Sequence, residues 1–344
     1  MPKGMSRRSF LRQLGGLGVA ISSSPGRLFS PQEAPSAVGS LFVTTGFDHV
    51  STSPDGKVWS AASIPTGQWC SASYMASAGL WCAIGYNDHR AMTSADGKTW
   101  SLSSTTVPYS TRNQGSVIEI RNDGIRFMIV GYDAANPDSH WMFASSSVDG
   151  VNWSGSLHTG FPLGVQPLGL AFGNGVFATL TGTAPPVIYT TPGSPVSWTG
   201  RANTVSAALN RIIHDGQRFV AVGNAWVEWN TTPGNLDAWT RITPPAGANT
   251  LRYIGLNGTT YLIIAQNTAA TSTDLTNWTS RSDPTGGQVL PVCAGDPTTG
   301  RFVWIGDNGA AWGNDGISWT TIAAPFQGAK SVMCRPAGAG IGTV

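Results

Sequence analysis

The chain has 344 residues with 43 Gly, 22 Pro and 14 Trp, and only 11% of its residues are charged, a composition of short strands and tight turns. Its formal charge of +2 is concentrated at the start. Residues 1–37 hold Lys3, Arg7, Arg8, Arg12 and Arg27 against Glu33 alone, so the remaining 15 basic and 17 acidic residues leave a body at −2. That near-neutral body has no basic stripe to track a phosphate backbone and no apolar run of about 18 residues, which excludes nucleic acid as a partner and a transmembrane helix.

In chain order, residues 1–39 read as an address or an arm. "SRRSFL" (6–11) sets an arginine pair before the modest apolar stretch "LGGLGVAI", and "APSA" (34–37) is the best cleavage candidate. The segment resembles a bacterial twin-arginine export signal, which implies delivery of a folded protein to the periplasm or beyond. Retained uncleaved, it would be the flexible arm of a virion protein.

From residue 40 the chain repeats itself. An aromatic residue opens a short apolar run at "LFVTTG" (Phe42), "LWCAIG" (Trp81), "RFMIVG" (Phe127) and "VFATLTG" (Phe177), and again at "RFVAVG" (Phe219), "YLIIA" (Tyr261) and "RFVWIG" (Phe302). Each run is followed by a turn that ends in tryptophan. Trp59, Trp100, Trp153, Trp198, Trp239, Trp278 and Trp319 lie at intervals of 41, 53, 45, 41, 39 and 41. A period near 40 with several strands per unit predicts an all-β, seven-bladed β-propeller of four-stranded blades over residues 40–344.

The third repeat reads through completely, with strands at 116–120, 126–132, 141–147 and 151–156. Asn-Asp-Gly and Asp-Gly between them supply the positive φ of tight hairpins. The first blade has no innermost strand before it. "KSVMCRP" (330–336) has no tryptophan turn after it, so the ring is predicted to close by pairing 330–336 with strands from 41–60. Closure of this kind removes exposed sheet edges.

The turns share the phrase Ser-x-Asp-Gly-x-x-Trp, as in "TSPDGKVWSA", "TSADGKTWSL" and "SSVDGVNWSG". Asp315 keeps its glycine, Asp274 is followed by Leu275, and the fourth and fifth repeats use Pro-Gly turns instead. The phrase resembles the Asp-box (BNR) repeat of sialidase-type propellers, one residue shorter than the commonest form. Physically it is a scaffold: the carboxylate accepts backbone N–H groups, Gly takes the strained position and Trp wedges between sheets. Asp55, Trp59, Asp96, Trp100, Asp149, Trp153, Asp274, Trp278, Asp315 and Trp319 are therefore structural residues in this reading.

In a four-stranded blade these turns share the lower face, which leaves the loops between second and third strands on the upper one. Variable loops on a rigid scaffold are where binding residues concentrate. The upper loops carry Asp48 and His49; Tyr86, Asp88, His89 and Arg90; Asp138, His140 and Trp141; and Asp307. Aromatic faces beside Asp, His and Arg suit a glycan or a protein surface. The bland reading is that short loops favour Asp, Asn and His for their turns. The spacing contains no metal-ligand motif, and no metal, cofactor or catalytic residue is assigned.

The sialidase resemblance implies an arginine cluster, a Tyr–Glu pair and an acid, but the motif Phe/Tyr-Arg-Ile-Pro does not occur. Glu119 and Glu228 are the only glutamates of the body, and neither has a readable tyrosine partner. The expected function is a non-enzymatic recognition or scaffold propeller, exported or carried on a virion as in phage tails and fibres. A sialidase-like glycoside hydrolase and an exported assembly factor that docks a protein are the alternatives. Cys70 and Cys82 flank a hairpin and could bond across it, while Cys293 and Cys334 lie on inner strands of adjacent blades, paired or free.

Overall fold

The computed structural model describes residues 39–337 apart from 88, 109–114, 134–140, 158–160, 162–164, 183–186, 193–196, 203–208, 225, 233–234, 246–249, 266–267, 285–291 and 308. The first strands are β1 (Leu41–Gly46), β2 (His49–Ser53) and β3 (Ser60–Ala61). Blade 2 is β4 (Trp69–Met75), β5 (Leu80–Gly85), β6 (Ala91–Ser94) and β7 (Ser101–Leu102). Blade 3 is β8 (Gly115–Asn122), β9 (Phe127–Asp133), β10 (Trp141–Ser147) and β11 (Ser154–Leu157). Blade 4 is β12 (Pro167–Gly173), β13 (Val176–Thr181), β14 (Val187–Thr191) and β15 (Thr199–Ala202). Blade 5 is β16 (Leu209–His214), β17 (Phe219–Gly223), β18 (Trp226–Thr232) and β19 (Asn235–Ile242). Blade 6 is β20 (Leu251–Leu256), β21 (Tyr261–Ala265), β22 (Thr268–Ser272) and β23 (Thr279–Ser282). Blade 7 is β24 (Val292–Asp296), β25 (Arg301–Ile305), β26 (Ala310–Gly313) and β27 (Thr320–Ile322), and β28 (Ala329–Arg335) follows.

These strands form seven antiparallel sheets of four, each running outward in chain order except the first, whose order is β28-β1-β2-β3. The last strand thus supplies the missing innermost strand of blade 1, with Phe42 opposite Cys334 and Thr44 opposite Val332. Thr45 Oγ1 and Ser331 Oγ, 2.8 Å apart and buried, fasten the two ends of the chain together. The innermost strands β28, β4, β8, β12, β16, β20 and β24 each touch the next around the ring.

The core lies between blades, and the tryptophan turns close each interface. Trp100 of blade 2 packs with Leu41, Val43 and Val50 of blade 1, and Trp153 of blade 3 with Cys82, Ile84 and Ala91 of blade 2. The same step to the preceding blade recurs for Trp198, Trp239, Trp278, Trp319 and Trp59. The five turns that keep the Asp, in blades 1, 2, 3, 6 and 7, are held by its carboxylate. Asp96 Oδ1 accepts the Lys98 and Thr99 N–H groups at 2.7 and 2.8 Å, and Trp100 Nε1 donates to Gly97 O at 2.9 Å. Those bonds hold the Asp96 carboxyl below its ordinary range, the Thr99 N–H contributing most. In blade 7 Gly313 stands where the other Asp turns have serine, and Trp319 Nε1 is buried without a hydrogen-bond partner.

Five innermost strands (β4, β8, β12, β16 and β20) carry a β-bulge against their neighbour, and β28 carries another. The hairpin register decides the chemistry of the cysteines. Cys82 lies opposite Ser73, whereas Cys70 is the extra residue between Trp69 and Ser71 and donates to Ile84 O at 3.4 Å. The bond across the hairpin is therefore not made, and all four cysteines are free thiols.

Candidate functional site

The upper-face residues divide into those that hold loops and those that present chemistry. Asp48 takes a left-handed φ of 58°, and its Oδ1 accepts the Gly67 N–H at 3.0 Å while its own N–H donates to Gly67 O at 2.8 Å. It ties the blade 1 loop to the approach to β4. His89 also has a positive φ, 55°, and its carbonyl accepts the Val107 N–H at 2.9 Å. Non-glycine residues tolerate this region poorly, so both positions are fixed by their bonds.

The others fall on the two sides of the blade 1 sheet, Phe47, Tyr86 and Arg90 toward blade 2 and His49 with Phe326 toward blade 7. Phe47 is 39% exposed, and the Lys330 ammonium sits 4.7 Å from its ring centroid. Tyr86 lies 5.9 Å from Phe47 in a tilted arrangement. The exposed His49 ring stacks on Phe326 at 5.2 Å and 24°. Arg90 stands 5.7 Å from the buried Trp69 ring. A Cβ at Gly46 would lie 2.5 Å from the Phe326 ring, so glycine there lets that ring close over the strand end. On the blade 2 side the result is a small aromatic patch, Phe47 with Tyr86, edged by Lys330, a chemistry able to take apolar and anionic groups together.

Asp307 is half-buried in the blade 7 loop, where Gly306 N–H donates to Gly309 O, on the far side of β28 from blade 2. Trp141 opens β10 with its backbone opposite Asp133. Asp88, Asp138 and His140 lie outside the described residues. Phe47 and Lys330, and Phe326 under His49, are residues the sequence reading did not single out. Phe47 and Lys330 meet only because β28 pairs with β1, and that register, once inferred, puts the start of 330–336 beside the end of 41–46.

Both glutamates of the body are engaged by guanidinium groups. Glu119, fully buried on β8, accepts the Leu170 N–H at 2.9 Å and pairs with Arg121 and with Arg211 at 3.2 Å. Glu228 on β18, also fully buried, accepts Arg241 Nε at 2.8 Å. Among the described residues no cluster of three His, Cys, Asp or Glu side chains is arranged to hold a metal ion, and no helix is long and apolar enough to cross a membrane.

No family model matches the sequence, and no curated protein matches it. Solved structures do. YCF48 bound to a D1 peptide matches with a TM-score of 0.54 at 14% identity, over 77% of this chain and 84% of that one. Apo AztD from Citrobacter koseri matches with a TM-score of 0.53 at 12% identity, over 89% and 99% of the two chains. A putative 6-phosphogluconolactonase from Bacteroides uniformis matches with a TM-score of 0.63 at 10% identity, over 86% and 99%. The chain shares their fold. At these identities neither a ligand nor an activity transfers with it.

Proposed function

We propose that this chain is a non-enzymatic recognition propeller of the Asp-box type, exported or borne on a virion, that docks a protein surface through the upper face of blades 1 and 2. One observation carries the reading: Phe47 stays 39% exposed in the company of Tyr86 and Lys330, on loops anchored by Asp48 and His89. Exposed aromatic rings on rigid loops are what interface hot spots are made of. A propeller solved with a peptide bound, YCF48, supports the fold as a carrier for that kind of docking. Residues 1–39 serve as the twin-arginine-like signal or arm in this reading, and 40–344 as the binding domain.

A glycan is the second reading, favoured by the ring faces of Phe47 and Tyr86 beside polar side chains. An exported assembly factor would use the same face. The sialidase-like hydrolase is disfavoured, since Glu119 is sequestered by Arg121, Arg211 and the Leu170 N–H.

The test compares wild type with Phe47→Ala/Lys330→Ala in cross-linking capture from source extract and on a glycan array. We expect the double variant to lose roughly 10- to 100-fold in affinity for the captured partner, with an unchanged melting temperature. Identical binding by the two proteins would remove the face from consideration. Glycoside turnover abolished by Glu119→Ala would reinstate the hydrolase, and an intact Met1 on material from the source would favour the retained arm over export.

A further inference from the structure

The innermost strands do not share the charge of the body. β28, β8, β16, β20 and β24 carry Lys330, Arg335, Arg121, Arg211 and Arg252 against Glu119 and Asp296, five cations to two anions. Asp296 is already satisfied in the hairpin turn at the end of its strand, where it accepts the Thr298 N–H at 2.9 Å and the Thr299 hydroxyl at 2.6 Å. The innermost strands of a body at net −2 thus carry a net +3, of which Lys330 is turned to the Phe47 ring and the rest lies with the arginines.

The centre of that charge is a single layer of side chains. Glu119, Arg211 and Tyr253 each follow the extra residue of their strand's bulge, which sets them at one level on blades 3, 5 and 6. Blade 4 lies between the first two and presents Gly169 there; a Cβ on Gly169 would come 3.4 Å from Glu119 Oε2. The missing side chain lets the carboxylate reach past blade 4 to Arg211. Arg211 in turn lies 4.8 Å from the Tyr253 ring centroid, and Arg121 reaches back to Met333 Sδ of blade 1 at 3.4 Å. One carboxylate therefore faces two guanidinium groups whose side chains are only 16% and 20% exposed. Arg252 adds a third, its Nε buried without a hydrogen-bond partner, and both Arg252 and Arg211 act electrostatically on the Tyr253 hydroxyl. A buried surplus of guanidinium charge is costly unless an anion completes it, and guanidinium forks match planar or tetrahedral oxyanions bidentately.

We infer that this inner-strand cluster binds a small oxyanion of carboxylate or phosphate type against Arg211, Arg252 and Arg121, with Tyr253 as a further donor. The site is distinct from the upper patch of blades 1 and 2 and does not depend on it. Glu119 competes with the ligand for the same guanidinium groups.

The experiment is titration of the purified full chain with inorganic phosphate, citrate and sodium chloride at matched ionic strength, read by thermal shift and calorimetry. Phosphate or citrate should raise the melting temperature saturably, beyond the rise that chloride gives, and whichever of the two binds tighter identifies the oxyanion class. Arg252→Met, at a partly exposed residue whose Nε bonds nothing, should keep the fold and weaken binding roughly 10- to 100-fold, the worth of a charge-assisted hydrogen bond. Glu119→Gln should tighten it. No saturable effect above chloride in wild type overturns the inference. So does binding unchanged in both Arg252→Met and Glu119→Gln, which keeps the test decisive even where Arg211→Met fails to fold.

Discussion

The turns of blades 2 and 6 make the same hydrogen bonds with different residues at their tightest point. In blade 2 Gly97 has a φ of 77°, and a Cβ there would meet Leu41 Cδ2 of blade 1 at 2.8 Å. In blade 6 Leu275 takes a φ of 66°, and its side chain is fully buried with Val220, Val222 and Val227 of blade 5. The carboxylate bonds are alike: Asp274 Oδ1 accepts Thr276 and Asn277 N–H at 2.8 and 2.7 Å, and Trp278 Nε1 donates to Leu275 O at 2.8 Å. The strained backbone is thus common to both turns, and the distance to the preceding blade decides which residue occupies it. Leucine offsets an unfavourable φ, costing about 1–2 kcal/mol, with about 2–3 kcal/mol of burial.

The comparison can be broken most strongly at the wedge. Trp100→Ala should cost about 3–5 kcal/mol in equilibrium unfolding, because it opens a hole at the interface of blades 1 and 2; a loss below about 1 kcal/mol would contradict its role as a wedge. The next effect is unusual in sign. At position 275 alanine keeps the φ penalty and loses the packing, whereas glycine loses the packing and is relieved of the penalty, so Leu275→Ala should be less stable than Leu275→Gly by about 1 kcal/mol. The reverse order in urea melts would mean that the backbone is not strained there.

The smallest effect lies in the acid range. Burial acts to raise the Asp149 carboxyl, but the N–H groups of Asn152 and Val151, the Asn152 side-chain amide and the Ser147 hydroxyl outweigh it and hold the group at about 2. A depressed carboxylate contributes stability above its unfolded value, near 3.9, and loses it as pH falls through the folded value. Stability should therefore fall between about pH 4 and about pH 2. Asp149→Asn should remove part of that pH dependence at some cost at pH 7, and a wild-type and variant with parallel pH profiles would show the turn carboxylate to be uninvolved.

Much of the architecture is legible in the chain because the same interface is written seven times. An aromatic second strand and a tryptophan turn each need a neighbour to bury against, so their spacing counts the blades. The unpartnered strand at 330–336 announced how the ring closes. The candidate site was legible only in part. Asp48 and His89 are visible as loop residues, but their positive φ and backbone bonds make them anchors of the loop, a role that residue type alone does not disclose. Leu275 reads as a degenerate turn in sequence and is a packed one in space.

What the sequence by itself determined is therefore periodic: blade number, strand order, the position of the tryptophan wedges and the closing strand all follow from local turn chemistry repeated at a fixed interval. What only the tertiary structure decided is contact between distant parts of the chain. Lys330 reaches Phe47 because the ends of the chain share one sheet, Glu119 reaches Arg211 because Gly169 leaves the path between them open, and Cys70 misses Cys82 because the hairpin register sets Ser73 opposite Cys82. These depend on register and on the ångströms between neighbouring blades, which a repeat period does not encode.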